Sequence, residues 1–252
     1  MIKVKNLNIS LGGLHIIKGI SFNVIEGEYL SLIGPNGAGK STILKSLCKI
    51  VPFTSGSVHV SGQDITVCTG KHLASEITYT SQLPSNDFTV KELIMFSRYP
   101  YLSAFSSITE KDRLKVEESM KITFISEFSS RKLNELSSGE RQRVAVASAL
   151  AQDTDIILFD EPVTHLDPYY DSQISELIFN IKKARNITVV NATHNLNNAL
   201  KYSDRIMALK NGKIEFIKRS GEVSSEDVSA LYGVGFVSME NPVDKKRVMI
   251  KL

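Results

Sequence analysis

Apolar and polar side chains alternate over the first part of the chain. The apolar positions are Ile2, Val4, Leu7, Ile9, Leu11 and, after the Gly12-Gly13 pair, Ile20, Phe22 and Val24. A period close to two is typical of strands buried on one face, and the paired glycines indicate a turn between two such strands. The pattern predicts an antiparallel β region, followed by a short apolar strand over Tyr29–Ile33.

Strand and helix patterns alternate along the rest of the chain. Strands are predicted around Val58 and Val60 and over residues 77–80, 155–159, 187–191, 206–209, 214–216 and 248–252. Helical spacing extends over residues 90–152 and returns at Ile174, Leu177, Ile178 and Ile181 and over residues 225–232. Thr109 and Asp112 form a predicted capping box, Asn211-Gly212 predicts a hairpin, and Gly233 is placed to end the last helix.

This alternation predicts an α/β fold with a mostly parallel sheet, whose ligand lies at the carboxyl ends of the strands. The 252 residues are 42% hydrophobic and 23% charged, which is the profile of one globular unit. We therefore expect a single domain over residues 1–252, with an N-terminal antiparallel β subdomain and a helical subdomain inserted at about residues 88–152.

Charge and cysteine content narrow the functional classes. A net charge of +3 gives no strong basic field, so we predict no nucleic-acid partner. Cys48 and Cys68 are isolated and no signal segment opens the chain, which favours a reducing, cytoplasmic compartment. No apolar run approaches the roughly 20 residues that cross a bilayer, so attachment to a membrane would need another protein.

A phosphate-binding loop follows the predicted strand Tyr29–Ile33. Its residues are Gly34, Pro35, Asn36, Gly37, Ala38, Gly39, Lys40, Ser41 and Thr42, which fit the P-loop pattern. Backbone N–H groups and the start of the next helix would bind the phosphates of ATP, Lys40 would reach the β- and γ-phosphates, and Ser41 would ligate Mg²⁺. Ile43, Leu44, Leu47 and Ile50 fall on one face of that helix. The alternative is a glycine-rich surface turn.

A second candidate group follows the buried apolar run at residues 155–159. Mg²⁺ prefers hard oxygen ligands, so we assign Asp160 to the metal. Glu161 is placed to orient or deprotonate a water for attack on the γ-phosphate. The alternative is an ordinary solvated acidic pair.

Small residues open another predicted helix in the stretch Leu136-Ser137-Ser138-Gly139-Glu140. Such a helix start is a second anion site, although alone it is equally a serine-capped helix with a capping glutamate.

Together these motifs resemble the ATP-binding cassette (ABC) ATPase family, a P-loop NTPase fold of the RecA-like type, over nearly the whole chain. The resemblance adds Gln82 as the glutamine loop, Asp167 as the D-loop aspartate and His194 as the switch histidine. It implies that Gln82 contacts Mg²⁺ or the attacking water, and that His194 holds the γ-phosphate. Glu161, His194 and Gln82 are then the catalytic set, and Ser41, Gln82 and Asp160 the metal set.

The resemblance also implies partners. Two subunits, expected to be identical copies, would pair head to tail, with Ser137 and Gly139 acting on the nucleotide of the other subunit and Asp167 joining the two sites. A transmembrane permease, and indirectly a substrate-binding protein, would place the chain on the inner face of the cell membrane. Residues 88–93, 98–101, 164–167 and 221–233 resemble importers of iron-siderophores, haem and cobalamin. An exporter motor, a soluble non-transport ABC ATPase and a small-molecule kinase remain alternatives.

Several positions depart from the family pattern. Ser138 replaces a usual glycine, Asn195 replaces a frequent aspartate, and Leu11 stands where many members stack an aromatic ring on adenine. The insert is where the family docks the permease, so Arg98 and Tyr99 are candidates for contact with that partner.

Overall fold

The computed structural model describes residues 1–81, 83, 87–102, 107–162, 168–242 and 246–252. Its strands are β1 (Ile2–Leu11), β2 (Leu14–Val24), β3 (Tyr29–Ile33), β4 (Ser55–Val60), β5 (Gln63–Asp64), β6 (Ile77–Thr80), β7 (Ile156–Asp160), β8 (Thr188–Ala192), β9 (Arg205–Lys210), β10 (Lys213–Arg219), β11 (Phe236–Glu240) and β12 (Arg247–Lys251). Its α-helices are α1 (Lys40–Leu47), α2 (Gly70–Glu76), α3 (Val90–Phe96), α4 (Glu110–Ile122), α5 (Ser138–Ala151), α6 (Pro168–Arg185), α7 (Leu196–Tyr202) and α8 (Ser225–Tyr232).

The N-terminal strands form a four-stranded antiparallel sheet in the order β2-β1-β4-β5. The predicted alternation is confirmed, because Ile2, Val4, Leu7 and Ile9 are all buried. The apolar spacing widens from two to three between Val4 and Leu7, where the register of β1 against β2 shifts and Asn6 takes a positive φ. Such a bulge moves the following side chains back to the buried face.

A six-stranded sheet forms the centre of the molecule in the order β10-β9-β3-β8-β7-β6. Strands β9, β3, β8, β7 and β6 are parallel, and β10 is an antiparallel edge strand. The central strands β3, β7 and β8 are buried along their whole length, as continuous apolar runs predict. The mostly parallel α/β sheet is thus confirmed, with β7 and β8 displaced by one residue from the predicted bounds.

Helices α3, α4 and α5 lie in the predicted helical stretch and share an apolar cluster that includes Val90, Ile94, Val116 and Val144. The opposite side of α5 packs on the central sheet through Val146, Ala149 and Leu150. Helix α5 therefore belongs to both layers. For this reason the boundary of the inserted subdomain at about residues 88–152 stays a prediction.

An ion pair fixes the ends of these helices to one another. The Arg98 Nε donates to Asp112 Oδ1 at 2.9 Å, and its Nη1 donates to the Ala151 carbonyl oxygen at 2.7 Å. Arg98 is 2% exposed, so the expectation that it contacts a partner is wrong. Its guanidinium instead donates to a backbone carbonyl oxygen at the end of α5, which has no partner within the helix. Tyr99 remains exposed.

The end of α1 and two short elements toward the C-terminus differ from the sequence-based prediction. Helix α1 ends at Leu47, so Ile50 lies beyond the helix and is exposed rather than part of its buried face. Helix α7 and strand β11 were not predicted, and β11 pairs with β12 in a hairpin that contacts α7. Within the part of the chain that the structure describes, no helix combines the length and the apolarity that crossing a membrane requires.

Candidate functional site

The loop between β3 and α1 wraps around a cavity of about 250 Å³ that is lined by residues 36–42, Ile16 and Glu161. Gly34, Gly37 and Gly39 all have positive φ angles. A Cβ atom on Gly34 would collide with the Leu209 carbonyl oxygen, and one on Gly39 would collide with the Ile17 side chain. Only glycine fits these two positions, which lets the backbone close around an anion.

Lys40 is the first residue of α1 and its side chain folds back into the loop. The side chain is buried, and Nζ donates to the Gly34 carbonyl oxygen at 2.9 Å. Burial lowers the pKa of the Lys40 ammonium, while the negative charges of Glu161 and Asp160 act in the opposite direction. The structure thus places a cation beside the cavity, and among the described residues its Nζ donates to the Gly34 and Pro35 carbonyl oxygens.

Ser41 and Asp160 meet as predicted. The Ser41 Oγ donates to Asp160 Oδ1 at 2.7 Å, because α1 begins at the same edge of the sheet where β7 ends. The other carboxylate oxygen accepts from the Tyr79 hydroxyl at 2.8 Å. Burial first, and then the contact with Asp160, raise the pKa of the Tyr79 phenol. The pair offers two hard oxygen atoms that suit Mg²⁺.

Tyr79 was missed by sequence reasoning. It lies on β6, the neighbour of β7 in the sheet, so its hydroxyl reaches Asp160 from the side. The sequence feature that could have identified Tyr79 is its position near the carboxyl end of a parallel strand.

Glu161 and His194 are in direct contact, with His194 Nε2 and Glu161 Oε1 2.5 Å apart. Glu161 follows β7 and His194 follows β8, and these two strands are neighbours. The Glu161 backbone has a φ of 54° and its N–H donates to the Ala192 carbonyl oxygen at 2.9 Å. A non-glycine residue in this region of φ is strained, which is a feature that concentrates at functional sites.

A larger cavity of about 630 Å³ adjoins the first one. It is lined by Glu161 and His194 together with Asp171, Asn195 and residues of α7, α8 and the β11–β12 hairpin. Glu161 lines both cavities, so its carboxylate is at their junction.

Ser137 and Gly139 open helix α5. The Ser137 Oγ accepts from the Glu140 N–H at 3.3 Å, and a Glu140 carboxylate oxygen accepts from the Ser137 N–H at 2.7 Å. Hydrogen bonds to the Glu140 carboxylate from the Ser137 side chain, and then from the Ser137 backbone N–H, lower the pKa of that carboxyl. The capped helix start is confirmed, and a Cβ atom on Gly139 would be 2.9 Å from the Tyr170 ring. Neither Ser137 nor Gly139 is among the described residues that line the P-loop cavity.

Two predicted site residues, Gln82 and Asp167, lie outside the described residues, as do residues 164–167 of the importer-like pattern. Over the described ranges, no group of three or more His, Cys, Asp or Glu side chains is arranged to hold a metal ion.

Comparison with known proteins finds similar sequences among ABC transporter proteins. A family model described as ABC transporter matches residues 17–164. The iron(3+)-hydroxamate import ATP-binding protein of Bacillus subtilis is 33% identical over 229 residues, which are 90% of this chain and 85% of that protein. The phosphonates import ATP-binding protein of Fusobacterium nucleatum is 35% identical over 241 residues, which are 92% of this chain and 98% of that protein.

A solved structure is also similar. It is a dimeric ATP-binding cassette in a post-hydrolysis state with ADP and phosphate, and it has a TM-score of 0.73 and 28% sequence identity. The match covers 87% of this chain and 99% of that one.

Proposed function

The chain belongs to the ABC transporter family as an ATP-hydrolysing subunit, and from this premise we propose that it powers uptake of an iron-siderophore through a separate membrane permease. The observation that carries the site assignment is the contact between Glu161 and His194 at the edge of the P-loop cavity. It joins the carboxylate and the imidazole at the place where the terminal phosphate of a bound nucleotide would lie.

The P-loop binds the phosphates in this proposal. Backbone N–H groups of residues 34–42 and the N-terminal end of α1 face the anion, and Lys40 exchanges its carbonyl partners for the β- and γ-phosphate oxygens. Ser41 and Asp160 fit Mg²⁺, because their oxygen atoms converge within 2.7 Å and Asp160 is largely buried. A Mg²⁺ ion held by these residues would neutralise charge on the β- and γ-phosphates. Gln82 is proposed as a further contact to the metal or to the attacking water.

Glu161 orients the attacking water and accepts its proton, because its carboxylate lines the P-loop cavity. His194 donates a hydrogen bond to the γ-phosphate in this scheme. The contact between the two side chains holds the imidazole next to the carboxylate before the substrate arrives. Closing the site around the phosphate would exclude water other than the reacting molecule.

A second subunit completes the site. Ser137 and Gly139 begin a helix away from the P-loop cavity of their own chain, so the Ser137 hydroxyl and the Gly139 N–H would serve the nucleotide of a partner. The dimeric relative bound to ADP and phosphate supports a paired assembly. We propose a homodimer in which Asp167 lies at the junction between the two sites.

The permease would dock on the helical layer. Phe88 and Phe96 pack edge to face with ring centroids 5.2 Å apart, both are substantially exposed, and Tyr99 is 71% exposed nearby in sequence. Exposed aromatic clusters are typical of protein interfaces. This contact would hold the chain on the inner face of the membrane.

The substrate class rests on the hydroxamate relative and on residues 88–93, 98–101 and 221–233. Haem and cobalamin belong to the same proposed group. A phosphonate is the second candidate, because the phosphonate import relative covers the chain equally well.

The test is purification of the full chain from its native membranes in mild detergent, with the accompanying proteins identified by mass spectrometry. A polytopic permease and a substrate-binding protein are expected, and ferric siderophores should stimulate ATP hydrolysis by that complex. Stimulation by phosphonates instead would overturn the siderophore assignment. Recovery without any membrane protein would overturn the transport assignment while leaving the ATPase chemistry intact.

A further inference from the structure

One carboxylate connects the start of helix α7 to helix α6. Asp171 Oδ2 accepts from the Asn195 side-chain amide at 2.6 Å, and Asp171 Oδ1 accepts from the Asn198 side-chain amide at 2.6 Å. Ser175 lies one turn further along α6, is buried, and accepts from the same Asn198 amide at 3.0 Å. We call Asp171, Ser175, Asn195 and Asn198 the Asp171 clamp.

The clamp holds the residue that directly follows His194. Asn195 caps α7, since its side-chain oxygen accepts from the Asn198 N–H at 3.0 Å. The Asn195 N–H in turn donates to the Thr193 Oγ1 at 3.0 Å. The chain after His194 is therefore held through Asn195, while the His194 side chain is 42% exposed and contacts Glu161.

The chemistry of the clamp requires an acid at position 171. Two side-chain amides point their N–H groups at it, one at each oxygen. A carboxylate accepts both and strengthens them through its charge, whereas a neutral amide would turn one donor toward another donor. Asp171 and Asn195 also line the 630 Å³ cavity together with Glu161 and His194.

We propose that Asp171 is a positioning residue for ATP hydrolysis, which holds α7 so that His194 stays in reach of Glu161 and of the terminal phosphate. This inference rests on the proposed role of His194. Helix α6 begins at Pro168, next in sequence to Asp167, so the clamp also connects that end of α6 to His194. A shift of the α6 start would be passed to the histidine through two hydrogen bonds.

The test compares Asp171→Asn with the reciprocal double variant Asp171→Asn/Asn198→Asp in the full chain. The single variant should lose about tenfold in kcat, because small displacements of catalytic groups are costly, and its Kd for ATP should not change. The double variant restores a donor facing an acceptor at both contacts and should recover kcat to within about twofold of the unmodified chain. Asp155→Asn is the matched control, since Asp155 is exposed.

Hydrogen–deuterium exchange supplies a readout that does not depend on activity. Peptides that cover residues 193–199 should exchange faster in Asp171→Asn and return to the original rate in the double variant. Unchanged exchange and kcat in Asp171→Asn would overturn the clamp alone, as would a loss that the double variant fails to restore. An unmodified chain that binds ATP but does not hydrolyse it would overturn the proposed function, and with it the positioning role.

Discussion

At the residue scale, the site uses side chains in environments that are unfavourable when considered alone. Glu161 has a left-handed backbone, which costs on the order of 1 kcal/mol in a residue with a side chain. Lys40 is a buried cation whose pKa is lowered by that burial. Both side chains are at the P-loop cavity, so their strain and desolvation are offset by the surrounding contacts.

Replacement of Lys40 by Met tests the phosphate contact. Lys40→Met keeps the length of the side chain but removes its charge, and we expect affinity for ATP to fall by about 10- to 100-fold. Titration with a fluorescent ATP analogue measures this effect. Lys111→Met on the exposed face of α4 is the control. Equal affinities of the two variants would show that Lys40 does not contact the nucleotide.

The sequence was enough to place Ser41, Asp160 and Glu161 at the P-loop, because a P-loop and an acidic pair after a buried strand are local patterns, and their roles there stay predictions. It did not predict Tyr79, whose role depends on which strand lies beside β7. Its prediction for Arg98 was wrong, because the buried partner Asp112 is on another helix.

At the scale of elements, the Arg98–Asp112 ion pair connects the ends of α3 and α5 to the start of α4. Both side chains are nearly inaccessible, at 2% and 5%. Removing one member of a buried pair leaves an uncompensated charge, and this is more destabilising than loss of a surface pair.

Arg98→Met should therefore lower the free energy of unfolding by about 3–5 kcal/mol. Urea denaturation followed by circular dichroism measures it. The control Arg113→Met changes an exposed arginine on α4 and should shift stability by less than about 0.5 kcal/mol. Similar midpoints for the two variants would contradict the structural role of the pair.

The ionisation of Asp112 should also make the stability of the protein depend on pH. Burial alone would raise the pKa of its carboxyl, but hydrogen bonds from Thr109 and the charge of Arg98 prevail and hold the pKa below its usual value. Because this pKa is lower in the folded than in the unfolded protein, the ionised carboxylate stabilises the fold at any pH above its unfolded pKa of about 3.9. That stabilisation is lost as the pH falls through the folded pKa. Relative to Asp112→Asn, the unmodified chain should thus lose more stability below about pH 4 in acid titrations of unfolding. Parallel curves would contradict this.

Elements with local sequence signals were predicted better than elements that depend on tertiary contacts. The helix over residues 225–232 has its own capping residues and its own stop at Gly233, and its bounds agree with the structure. Helix α7 and strand β11 are short, and β11 is stable only as the partner of β12. Their formation depends on tertiary contacts such as the two hydrogen bonds between Asn197 and Met249. A pattern along the chain does not contain that information.

At the scale of the whole molecule, the two proposed anion sites are on different parts of one chain. The P-loop cavity is lined by residues 36–42, Ile16 and Glu161, while Ser137 starts α5 elsewhere. This separation is the physical reason to expect a dimer in which each subunit contributes one element to each nucleotide.

In the Glu161→Gln background, ATP should convert the chain from monomer to dimer, and addition of Ser137→Ala should weaken that conversion by about tenfold in dimer affinity. Light scattering with and without Mg²⁺ and ATP measures it. Ser224→Ala is a matched control, because Ser224 occupies the same place in the capping box of α8. Dimerisation that is insensitive to Ser137→Ala would contradict its action on the partner's nucleotide.

The most direct measurement is the single-turnover rate of ATP hydrolysis by the full chain carrying Glu161→Gln, compared with Glu176→Gln on the exposed face of α6. If Glu161 orients and deprotonates water, Glu161→Gln should lower the rate by about 10²- to 10⁴-fold and leave ATP affinity intact. Glu176→Gln should hydrolyse ATP at the unmodified rate. A Glu161→Gln rate within about threefold of the control would contradict the assignment of the catalytic site.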